Sequence, residues 1–151
     1  MQKLDVMIAR MRLLLADIAS RESQLNQLIR QYHAQTEKIM SRTLYGDATV
    51  DSTLAMMSDV HERRELAERS RAQLHQLRLR TETELESLQL TRRIEELRIE
   101  LTSLRERSAQ LTGEDATSTR ADLSVRMRLV QSEINDASER AAQTIGVRQA
   151  R

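Results

Sequence analysis

The sequence predicts an all-α fold: an elongated antiparallel coiled coil of three long helices with a long central helix. Three observations lead there. The 151 residues include no Trp, Phe, Pro or Cys, and Tyr32 and Tyr45 are the only aromatics. Aromatic rings supply roughly 150–250 Å² of buried area each and fill the wide centre of a globular core. Leu, Ile, Val, Met and Ala alone suit the narrower seam between two or three helices. Charged residues make up 31% of the chain and glycines number three, so strands and barrels lack their turn residues. Finally, apolar residues recur at alternating spacings of four and three over long stretches, the mark of a heptad seam.

A first helix over residues 2–45 carries Leu4, Ile8, Met11, Leu15, Ile18, Glu22, Leu25, Ile29, Tyr32, Thr36 and Ile39 at that spacing. Glu22 is the one charged interruption, and replacing it with Leu is expected to be neutral or stabilising. The stretch from Gly46 to Ser52 breaks the pattern, with Gly46 just past the helix end and Asp51 or Ser52 as the next N-cap.

A central helix over 51–111 has two apolar runs: Leu74, Leu77, Thr81, Leu85, Leu88, and then Leu90, Ile94, Leu97, Leu101, Leu104, Ser108, Leu111. The runs are out of register, and such a slip moves the apolar stripe to another face. A second break at 112–119 contains Gly113, and Thr119 with Asp122 has the spacing of a capping box. The third helix, 118–149, continues with Leu123, Met127, Val130, Ile134, Ala137 and Ala141. Short connections favour antiparallel neighbours. Folded back in this way, the outer helices overlap beside residues 80–94, where the slip supplies apolar residues on two faces. The whole chain, 1–151, is expected to form one coiled-coil domain. The same seams would serve a bundle of two chains, so a homo-oligomer stays open.

Catalysis needs a concave, water-excluding site, which paired helices do not offer, and phosphate-loop, nucleophile-elbow and zinc-protease motifs are all missing. The chain is therefore expected not to be an enzyme, with no catalytic residues, no metal ligands and no cofactor. His61 and Glu65 share a helix face, but no Glu-x-x-His element of a di-iron bundle accompanies them. Net charge is +1, and Glu62, Glu65 and Glu68 interleave the arginines of residues 61–80. With no aromatics to stack bases, nucleic acid is not an expected partner. The longest apolar run near the start, Leu13 to Ala16, is far short of a membrane span. No secretory signal is visible, and a cytoplasmic location is the expectation. Twenty-two arginines against two lysines point to a GC-rich, bacterial or phage, coding genome.

Charge is laid out in blocks of −3, +3 and −3 over residues 46–60, 61–80 and 81–106. Ion pairs such as Arg92–Glu96 and Glu65–Arg69 are expected within the helix. The blocks also point to a protein partner docking at the Gly46 end. Asp47, Asp51 and Asp59 would steer it, and Met56 with Met57 would give adaptable apolar contact. Ordinary packing is the plainer account of Met56 and Met57. The other end, with Glu114 and Asp115, is expected to matter less.

The Arg-, Glu-, Gln- and Leu-rich helices, such as Leu66 to Leu111, resemble the coiled-coil stalk proteins of flagellar and type III secretion ATPases, the FliJ/YscO type. That resemblance implies a helical hairpin that binds an export ATPase ring and export gate within a larger complex. The third helix and the lack of Trp and Phe depart from the type. Phage assembly parts and other bacterial adaptors look similar, whereas secreted hairpins of the WXG type are excluded by the missing Trp-x-Gly turn. The alternative function is an amphipathic helical coat on a membrane or storage granule. Interfacial helices generally add Trp or Phe and a Lys-rich face, so the sequence does not favour membrane contact.

Overall fold

The computed structural model describes the backbone of residues 1–111, 113 and 116–150. It is all-α, with helix α1 at Gln2–Tyr45, α2 at Val50–Gln110 and α3 at Ala116–Ala150, and no strand among the described residues. Good helix formers (Leu, Arg, Glu, Gln, Ala) dominate each element. Exposed pairs such as Asp17–Arg21 at 3.2 Å and Asp59–Arg63 at 3.4 Å add small increments in the favourable acid-first order. The anticipated pairs Glu65–Arg69 and Arg92–Glu96 also form, at 3.9 and 3.3 Å. Asp5 and Asp51 in first turns, and Arg42 and Arg107 in last turns, complement the helix dipoles of α1 and α2.

The helices form two compact units, one comprising Met1–Arg12 with Glu82–Arg151 and the other Leu13–Thr81. In the unit Leu13–Thr81, contacts across the seam join Glu22 to Arg78, Asn26 to Arg71 and Thr43 to Thr53. Position numbers rise along α1 as they fall along α2, so the two segments run antiparallel. Every α1 seam position anticipated from the heptads within this unit is buried or half-buried, with Ile18 1% exposed. On α2 the matching positions are Thr53, Met57, Val60, Arg64, Ala67, Leu74, Arg78 and Thr81. Leu77 is therefore not a seam residue. It is exposed, and Arg78 takes its place because the spacing of four from Leu74 brings Arg78 opposite Glu22. Arg64, Arg71 and Arg78 follow one another at a spacing of seven on α2, and Arg71 and Arg78 reach across to Asn26 and Glu22 of α1.

The other unit contains an apolar core cluster of Leu97, Leu101, Leu104, Val130 and Ile134, with Leu123 and Met127 packed against it. Each fully buried aliphatic side chain stabilises by about 1.5–3 kcal/mol. Arg93 reaches Glu133 at 2.9 Å and Arg126 reaches Glu100. Seven residues forward on α2 match seven back on α3, so these helices are antiparallel too. Asp5 of α1 meets Arg92 at 3.0 Å. Residues 85–97 carry two stripes on opposite faces of the helix, Leu85–Leu88–Arg92 and Leu90–Ile94–Leu97, and all six side chains are buried or half-buried. The phase slip predicts this two-sided burial. On the first stripe Glu95 is half-buried, and Ile99, one heptad past Asp5's partner, is exposed.

Helix starts differ from the expected ones. The N-cap of α2 is Thr49, not Asp51 or Ser52, since its hydroxyl accepts from the Ser52 N–H at 3.2 Å. Thr119 lies inside α3 and caps nothing, because the helix begins at Ala116. Gly113 has φ of 104°, a conformation that a side chain disfavours. Thr112, Glu114 and Asp115, part of the second break, fall outside the described residues.

Candidate docking site at the α1–α2 turn

The turn is held by short-range bonds on both sides. The Gly46 N–H donates to the Arg42 carbonyl at 3.0 Å, and a Cβ on Gly46 would lie 2.7 Å from that oxygen, closer than atoms tolerate. Glycine is needed here for close approach rather than for a left-handed backbone. Across the seam the hydroxyls of Thr43 and Thr53 lie 2.5 Å apart, and they also approach the carbonyls of Ile39 and Thr49 at 2.9 and 2.8 Å. Two hydroxyl hydrogens serve three contacts, so one of the three goes without a hydrogen at any moment. The pair ties the last turn of α1 to the first turn of α2.

Several large apolar side chains are exposed around this closed turn. Leu44 is 69% exposed, Tyr45 89%, Val50 67% and Leu54 62%, with Met40 and Met56 each a little under half. Solitary exposed apolar side chains are ordinary, but a contiguous group is characteristic of contact sites.

The five residues singled out from the sequence fall in different settings. Asp47 is exposed in the turn, and Asp51 is exposed in the first turn of α2. Met56 and Asp59 are brought together with Gln35, Lys38 and Arg42 in an open groove along Ile39 and Val60. Asp59 also pairs with Arg63. Met57 is half-buried on the seam, between Thr53 and Val60. Sequence reasoning missed Met40, Leu44, Tyr45, Val50 and Leu54. The available signal was their heptad phase: Met40, Leu44 and Leu54 are apolar residues off the seam positions, so the hairpin's own core does not use them.

The histidines have ordinary surroundings. His61 lies 3.4 Å from Glu65 on its own helix, and the Nδ1 of His75 faces the Arg78 guanidinium at 2.8 Å. Among the described residues no three His, Asp or Glu side chains are grouped to hold a metal ion, and no helix is long and apolar enough to cross a membrane. No protein-family model, curated protein or solved structure matches the chain.

Proposed function

We propose that this chain is a non-enzymatic adaptor that binds a protein partner through the α1–α2 turn and joins it to a larger assembly. One observation carries this reading. Six of the fifteen exposed large apolar side chains among the described residues fall between Met40 and Met56, around a single turn. A hairpin closed by its own Thr–Thr bond and Gly46 contact presents these side chains at little further ordering cost, which favours association. A place in a secretion-ATPase stalk or a similar export assembly, cytoplasmic and bacterial, is the setting implied by the resemblance of the helices to that type.

The test compares quantitative affinity capture from the source cells by the tagged chain, a Leu44→Ser/Leu54→Ser variant and a Val125→Ser/Leu129→Ser variant. The last pair, 56% and 54% exposed on α3, controls for the loss of exposed apolar surface elsewhere. Circular dichroism monitors helix content. The turn variant is expected to lose specific partners that the α3 variant keeps. Loss by the α3 variant alone, or equal capture by all three, would refute the reading.

A further inference from the structure

The two lateral sides of the hairpin near its turn differ in chemistry. Gln35, Lys38 and Arg42 of α1 lie with Met56 and Asp59 of α2 along one side of the seam, mixing both signs of charge. At 100° per residue, Met40 and Leu44 each follow a seam residue of α1 (Ile39 and Thr43), and Leu54 follows Thr53 of α2. In antiparallel helices such positions share one side, the side opposite the groove. Val50 adjoins it, one turn before Leu54. This second side is edged by acids. Glu37 lies three residues before Met40 and seven before Leu44, and Asp51 lies three before Leu54. Both carboxylates are exposed. The next acid on this side of α2, Glu65, two heptads past Asp51, is engaged with His61 and Arg69.

From this arrangement we infer that the Met40–Leu44–Leu54 side of the turn docks a basic amphipathic helix of a protein partner. A helix with apolar residues at i, i+3/i+4 and i+7 matches a strip of this kind, and Lys or Arg flanking its stripe meets Glu37 and Asp51. An acidic helix meets like charge at both edges. The inference rests on the turn being a docking site and adds which side is used and what it takes.

The probes are three synthetic 18-residue helical peptides sharing one leucine stripe, flanked by Lys/Arg, by Gln or by Glu, titrated into the full-length chain. The basic peptide is expected to bind at least ~10-fold tighter than the Glu-flanked one at low salt, with the gap narrowing as salt screens the edges. Leu44→Ser/Leu54→Ser should weaken it by ~10-fold or more, as central apolar anchors do. Glu37→Lys/Asp51→Lys should reverse the order of the basic and Glu-flanked peptides, whereas Lys38→Glu/Arg42→Glu on the other side should leave that order as in the parent. Equal binding of all three peptides, preference for the Glu-flanked one, or sensitivity only to Lys38→Glu/Arg42→Glu overturns the assignment. So does sedimentation showing a dimer of the chain alone that Leu44→Ser/Leu54→Ser dissociates, because a second copy would then cover the strip. If the peptides fail while cellular capture still depends on Leu44 and Leu54, this inference falls and the adaptor reading stands. If capture does not depend on the turn, the adaptor reading falls.

Discussion

The Glu22–Arg78 pair offers a sharp test of the hairpin's energetics. Glu22 Oε2 accepts from Arg78 Nη1 at 3.1 Å across the seam, and the Glu22 side chain is 16% exposed against 36% for Arg78. Glu22 Oε1 is buried without a hydrogen-bond partner. The two partners are therefore unequally dependent on each other. Arg78→Leu strands a mostly buried carboxylate, which costs ~3–5 kcal/mol when burial is complete and about 1–3 kcal/mol here, since water still reaches part of Glu22. Glu22→Leu leaves Arg78 with its contact to His75 Nδ1 and with a solvent-reaching head. The added leucine buries in the seam, so the net change should lie within about 1 kcal/mol of zero. The double change places two leucines face to face and should be neutral or stabilising relative to the parent, as with other buried pairs replaced by apolar residues.

Urea unfolding followed by far-ultraviolet circular dichroism on all four proteins yields the coupling energy, expected at about 1–3 kcal/mol. The reasoning fails if Glu22→Leu proves costlier than Arg78→Leu, or if the two changes simply add. Glu22→Leu is thus still expected to be near neutral, and the cross-seam pair adds the expectation that Arg78 is the costlier of the two to remove.

Other substitutions separate core from surface. Leu101→Ala, at a site 7% exposed in the apolar core cluster, should cost ~2–4 kcal/mol in the same assay. Leu77→Ala, 43% exposed, should stay within about 0.5 kcal/mol, and the opposite order would mean that the α2 register is misassigned. Gly113→Ala should lower stability by ~1 kcal/mol through its positive φ, and Gly46→Ala should also destabilise, through the clash with the Arg42 carbonyl. Thr53→Val, which removes the 2.5 Å link to Thr43, should cost about 0.5–1.5 kcal/mol, and faster amide exchange at the start of α2 would report the loosened turn.

By itself the sequence determined the fold class, the number of helices and nearly all of the α1 and α3 seams. Those seams are periodic in the chain, and burial of a repeating apolar stripe is a local rule that needs no knowledge of the partner helix. The phase slip after Leu88 was equally legible, because two stripes on one helix require two covering neighbours. Thr49 as N-cap was not legible, since Thr49, Asp51 and Ser52 all have capping side chains and only the backbone path selects among them. Nor was the place of Arg78. A charged residue reads as surface, and only the antiparallel register that brings Glu22 opposite makes it part of the seam. The turn site divides in the same way. Asp47, Asp51, Met56, Met57 and Asp59 stand out by charge and residue type. Which of them face solvent, and which off-seam apolar residues of the other helix join them, depends on how α1 and α2 are rotated about their shared seam. That rotation is fixed by contacts between residues far apart in the chain, such as Glu22 with Arg78 and Asn26 with Arg71.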